Sequence, residues 1–174
     1  MASWIRRADE SGLPLLIARV ILGASFIWMG ISKVRAPVEF LKLIREYHIV
    51  PESMPWLLNA LAVGLPYLEI FCGVLLLAGV AVRGTSLLVL GMLVAFTAAV
   101  IMRAMNIYAE VGGAFCSIKF DCGCGTGEQY VCMKVPENLL LILLSLVALL
   151  SRSRRFCLLR NLVPGPLPFR IEGY

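Results

Sequence analysis

The chain has 174 residues and a formal net charge of +5; 60% of its residues are hydrophobic and only 16% are charged. That balance excludes an ordinary soluble domain. The positive charge does not point to nucleic acid either, because the basic residues flank apolar runs. What remains is an all-α integral membrane protein, a bundle of four transmembrane helices contained in a single membrane domain over residues 1–174.

After a short polar lead ending at Gly12, Leu13–Ser32 is the first run with the roughly 20 apolar residues a crossing requires. It carries Arg19, Gly23 and Gly30, and it is not a cleavable signal, being long, without a small-x-small site and followed by further spans. Pro37–Val50 is too polar to cross. Val38, Leu41, Ile44 and Tyr47 recur in it at helical spacing, which predicts an amphipathic helix lying in the membrane interface and ended by Pro51 and Pro55. Leu57–Val82, with Pro66 and Glu69, is the second span. Val82-Arg83-Gly84 reads as a tight turn into the third, Thr85–Arg103, where Gly91, Ala95 and Ala99 form a small-residue stripe suited to close helix packing. A polar loop over 104–135 follows, then the fourth span, Pro136–Ser151, which Val131–Lys134 and Phe156–Leu159 can extend. Pro164, Pro166 and Pro168 keep the tail over 160–174 from being a regular helix.

Arg152, Arg154, Arg155 and Arg160 crowd the end of the fourth span, Arg6 and Arg7 precede the first, and Arg83 sits between the second and third. The positive-inside rule then places both termini in the cytoplasm and the 104–135 loop outside, in a cytoplasmic membrane of bacterial type. Lys33, Arg35, Lys42 and Arg45, in the opposite connection, run against this bias.

That outer loop holds Cys116, Cys122, Cys124 and Cys132. Cys122-Gly123-Cys124 can close a small, strained ring of the exchanging kind, with Gly123 relieving the backbone and Cys116 and Cys132 as relay thiols or a second pair. Lys119 and Arg103 lie near enough in sequence to favour a thiolate, and Asp121 opposes one. Two other readings stand beside exchange. The four cysteines can form two static disulfides, or four thiolates can bind zinc or an iron–sulfur cluster, although their spacing matches no common pattern of either. Cys72 reads as a small core hydrophobe, Cys157 as a reduced cytoplasmic thiol and His48 as a headgroup-level polar residue.

Glu69 is the second candidate, since a carboxylate inside a span is costly and is a functional hypothesis by default. Counting from the span starts, Arg19 lies roughly 9 Å and Glu69 roughly 18 Å into the core, close enough for an ion pair or the start of a proton route.

Several segments together resemble the MauE/DoxX family of redox-associated four-helix membrane proteins. They are Arg19–Gly23, Gly30-Ile-Ser-Lys33, Tyr47-His-Ile-Val-Pro51, Leu65-Pro66-Tyr-Leu-Glu69 with Gly73, and Asp121-Cys122-Gly-Cys124-Gly125 followed by Glu137-Asn138. The resemblance implies thiol or sulfur redox chemistry at the membrane. MauE-like members are linked to disulfide maturation during methylamine dehydrogenase biogenesis, and DoxX-like members to thiosulfate oxidation with quinone as acceptor. Where the family continues Cys-x-Cys with Phe-Gly, this chain has Gly125-Thr126-Gly127 and adds Cys116 and Cys132. The expected function is a membrane redox component that passes electrons to a quinone or to a partner subunit or redox protein. The alternative is a non-catalytic subunit that anchors or assembles a larger redox complex. A small-molecule transporter would rest on Arg19 and Glu69 alone.

Overall fold

The computed structural model describes residues 11–47, 51, 53–121, 123, 127–151 and 157. Four of its helices are long and apolar enough to cross a membrane: α1 (Leu13–Arg35), α3 (Pro55–Ala78), α4 (Val82–Val111) and α5 (Val131–Leu150). The short α2 (Pro37–Glu46) lies between the first two, and an antiparallel hairpin of β1 (Lys119–Asp121) and β2 (Glu128–Tyr130) precedes α5. The chain is thus an all-α membrane bundle.

Prolines set several boundaries. Ala36 precedes Pro37 and leaves the helical region (φ −130°, ψ 63°), as the residue before a proline tends to, so α1 stops and α2 restarts. Pro55 opens α3, where its missing N–H costs nothing. The far end of α3 closes on Gly79 in the left-handed region (φ 72°), with the Gly79 and Val80 amides returning to the Leu76 and Leu75 carbonyls. The turn into α4 is therefore Gly79–Ala81, and Arg83 and Gly84, expected in the turn, belong to the first turn of α4.

Two helices outrun their expected ends. α4 continues to Val111, and its 30 residues span about 45 Å, some 15 Å more than a hydrocarbon core. α5 begins at Val131, with Pro136 inside it. The loop expected over 104–135 shrinks accordingly, and the α4 overhang becomes a platform on which Ala104 and Ile107 pack against Ile118 and Val131. The apolar side of α2 differs from expectation at one position. Val38 is exposed and Phe40 is the buried residue, while Leu41, Ile44 and Tyr47 are half-buried with Leu43 on the inward side.

α1 and α3 run antiparallel in the closest approach of the bundle. A Cβ on Gly23 would meet the Gly73 carbonyl oxygen at 2.9 Å, and one on Gly73 would meet that of Gly23 at 2.8 Å. The expected stripe on α4 does not do this work within the chain: Gly91 has nothing within 4 Å and Ala95 is exposed. α4 and α5 are instead joined by hydrogen bonds, Ser145 Oγ donating to the Ser86 carbonyl (2.9 Å) and Asn138 Nδ2 to Thr97 Oγ1 (3.3 Å). Substituting Gly73→Val forces α1 and α3 apart and should destabilise the detergent-solubilised protein by about 1–3 kcal/mol in thermal unfolding. Gly91→Val, made in open space, should leave the midpoint unchanged.

Candidate functional site

Cys116 lies in a single 3-10 turn (Phe115–Ser117) and Cys132 in the first turn of α5. The two are joined by a disulfide, Cα–Cα 5.1 Å, across a sequence separation of 16. This bridge takes two sulfurs from the four-thiolate metal reading, since a disulfide sulfur is not a thiolate. Cys122 and Cys124 lie outside the described residues, as does His48. Gly123, between the two cysteines in the chain, is described. It has φ 70°, and its amide donates to Asp121 Oδ1 at 2.8 Å. Asp121 is thereby engaged in holding the turn. A Cβ on Gly123 would stand 3.5 Å from both Phe40 and Leu43, so Gly123 rests on the inward face of α2. Tyr47 adds an edge-on contact to Phe120 (6.4 Å between centroids) and donates its hydroxyl to the Asp121 carbonyl at 3.5 Å.

The cations expected to favour a thiolate have other positions. Lys119 Nζ sits 4.5 Å from the ring centroid of Tyr130, its cross-strand neighbour, and hydrogen bonding to Tyr130 pushes its pKa up from the ordinary lysine value. Arg103 lies 3.9 Å from Glu46 at the end of α2.

Glu69 is 3% exposed and forms its ion pair with Lys33, not with Arg19. Helix geometry explains the choice. Side chains lean toward the N-terminus of their own helix. On antiparallel α1 and α3 the N-termini lie at opposite faces, so Arg19 and Glu69 lean away from one another while Lys33 and Glu69 lean together. Counting depth from each span's own start had placed the two residues on one scale when they are measured from opposite sides. Arg19 reaches the end of α3 instead: Nε donates to the Leu76 carbonyl (2.7 Å), Nη2 to that of Leu77 (3.0 Å), and Nη1 to Cys157 Sγ (3.5 Å). A cation suits the partial negative charge of a helix C-terminus. Gly79 is required there twice over, because a Cβ at that left-handed position would collide with the Arg19 guanidinium.

Lys33 is the residue that sequence reasoning missed, having been counted as a cation beyond the first span. It falls seven residues after Phe26 and three after Gly30, both buried, so extending the first span by one turn would have placed it on the packed face. Its ammonium is also 4.6 Å from the Phe96 ring centroid and 5.1 Å from that of Phe40. Cys72 is a fully buried member of the same core as Leu22 and Phe26. Lys134, another buried cation, pairs with Glu137 at 2.9 Å.

Two cavities meet at Lys33. The inner one, walled by Phe26, Met29, Met92 and Phe96 with Asn138 and Glu69 as further polar groups, has room for about one water. The outer one, lined by Ser32, Glu39, Phe40, Leu43, Asp121 and Gly123, has room for several. Glu69 Oε2 is buried without a hydrogen-bond partner, while Oε1 takes the Lys33 ammonium. Lys33→Met alone strands the carboxylate in low dielectric and should cost about 3–5 kcal/mol of stability. The double variant Lys33→Met/Glu69→Met should recover most of that loss in the same thermal unfolding assay.

No curated protein and no solved structure gives a significant match to the chain. A family model does, over residues 11–151, and its description is methylamine utilisation protein MauE. The match covers all four membrane helices, the interfacial helix and the cysteine hairpin, and on that extent the chain belongs to the MauE family.

Proposed function

We propose that this protein is a membrane redox component that handles thiol–disulfide chemistry through Cys122 and Cys124, with Cys116 and Cys132 as a second, structural pair. The observation that carries this reading is the Cys116–Cys132 disulfide. It ties the 3-10 turn to the start of α5 and leaves the other two loop cysteines in the strand connection, on either side of a glycine seated on α2. A fixed frame around a Cys-Gly-Cys sequence is what an exchanging site needs. Membership of the family supports a role in a redox-related methylamine utilisation system of several proteins. The electrons then pass to a partner redox protein or, as in the DoxX-like branch of the resemblance, to a membrane quinone.

The same reading takes the chain as one membrane domain with both termini cytoplasmic and the hairpin outside. A stable disulfide in the hairpin favours that orientation, because disulfides persist on the oxidising side.

Mass-tag alkylation in native membranes, across imposed redox potentials, tests the proposal. Cys122 and Cys124 should titrate together near about −200 mV, in the range of exchange proteins, while Cys116 and Cys132 stay oxidised below about −300 mV. If all four stay oxidised below that lower potential, the loop is a staple and the chain is an assembly subunit. Cys124→Ser then disturbs assembly of the complex rather than turnover.

A further inference from the structure

We propose that Glu69 is a proton-exchanging carboxylate loaded from the hairpin end of the bundle, with Lys33 as the arm that opens and closes its access to water. Three observations carry it. Glu69 is 3% exposed, and its Oε2 is buried without a hydrogen-bond partner beside a cavity with room for about one water. An ion pair with only a structural role gains by meeting both oxygens, because an unmet buried acceptor costs free energy. Lys33 belongs to the walls of both cavities, so its side chain stands where the inner one meets the outer one. The surroundings are also one-sided. Toward the hairpin the outer cavity has room for several waters, and two carboxylate residues, Glu39 and Asp121, line it. Toward the Arg19 end, Leu22, Leu76, Val89 and Leu93 are buried together in an apolar core.

The step is a proton transfer from water with no change of oxidation state. The contact between the Lys33 ammonium and Glu69 Oε1 breaks, and the ammonium moves into the outer cavity on its flexible four-carbon stem. An O–H bond of a hydronium ion breaks as an O–H bond forms on Glu69. The products are a neutral carboxylic acid, a water and an ammonium facing the Glu39 side of the outer cavity. The interior therefore exchanges a neutral ion pair for a neutral acid. The added positive charge appears at the aqueous edge, where it costs least. Release of the proton runs the same way in reverse, the returning ammonium closing the inner cavity.

Few other titratable groups face this route among the described residues. α1 contributes Lys33, α2 Glu39 and β1 Asp121, and α3 adds the buried thiol of Cys72. α4 presents Met92, Leu93 and Phe96, and α5 the neutral Asn138, whose amide donates to Thr97. Asp121 is engaged by the Gly123 amide, which leaves Glu39 as the carboxylate that receives the ammonium.

The test is an infrared pH titration of the full-length protein in nanodiscs, reading the carbonyl stretch of a buried carboxylic acid by its shift in D2O. The amide I band of the same spectra reports whether the helices persist. The wild type should gain the buried-acid band as pH falls, with amide I unchanged. Glu69→Gln should lose that band. Where this variant folds poorly, the Lys33→Met/Glu69→Met double should lack it as well. Glu39→Gln should move the band's midpoint to lower pH, because the displaced ammonium then has a poorer place to go. Arg83→Gln, at the opposite end of the bundle, should leave the midpoint in place. Absence of the band until the helices melt overturns the inference, as does a band that survives Glu69→Gln or the double. A midpoint that ignores Glu39→Gln, or that follows Arg83→Gln, overturns it too. No thiol enters the readout, so the thiol reading stands or falls separately.

Discussion

A lysine and a glutamate buried together in a lipid-facing bundle depend on each other, since either charge alone in that medium would be strongly unfavourable. Lys33 and Glu69 meet that constraint only because α1 and α3 come close enough for their side chains to converge. The closeness rests in turn on Gly23 and Gly73, where the two backbones face each other without side chains between them. Phe96 from α4 and Phe40 from α2 place ring faces beside the same ammonium, so four helices converge on one charge. Loss of any one contact would loosen the wall that separates the inner cavity from the hairpin.

The two ends of the bundle are chemically unlike. At one end, arginines neutralise helix C-termini: Arg19 on α3, and Arg83 on α5 through the Ser151 carbonyl at 3.3 Å. At the other end, backbone groups are satisfied by a small β ladder and an Asx-type turn, and a disulfide ties the segment to α5. The α4 overhang lifts this second end beyond the hydrocarbon region, where irregular backbone can be hydrated.

Much of the fold was legible in the sequence because lipid imposes so simple a rule. A backbone that must satisfy its own hydrogen bonds across about 30 Å forms a helix, and the apolar runs announce it. The four spans, the interfacial segment after Pro37 and the candidacy of the cysteine loop and Glu69 all follow from that rule and from residue chemistry. Helix ends were less legible, because composition changes at the headgroups while a helix can continue past them, as α4 does to Val111.

What only the tertiary structure decided was pairing. Antiparallel packing reverses the direction in which side chains lean, so Glu69 meets Lys33 and Arg19 meets the carbonyls at the end of α3. The close approach went to Gly23 and Gly73 rather than to the regular stripe on α4, because a stripe shows that helices can pack closely and not against what. Cys116 found Cys132 because the hairpin and the start of α5 bring them to 5.1 Å, one of three connectivities that four cysteines allow. The sequence by itself determined which groups must be buried, spanning or exposed, through transfer free energies that are local properties of each residue. The partner of each group depends on register and direction between segments far apart in the chain, and those exist only once the bundle is packed.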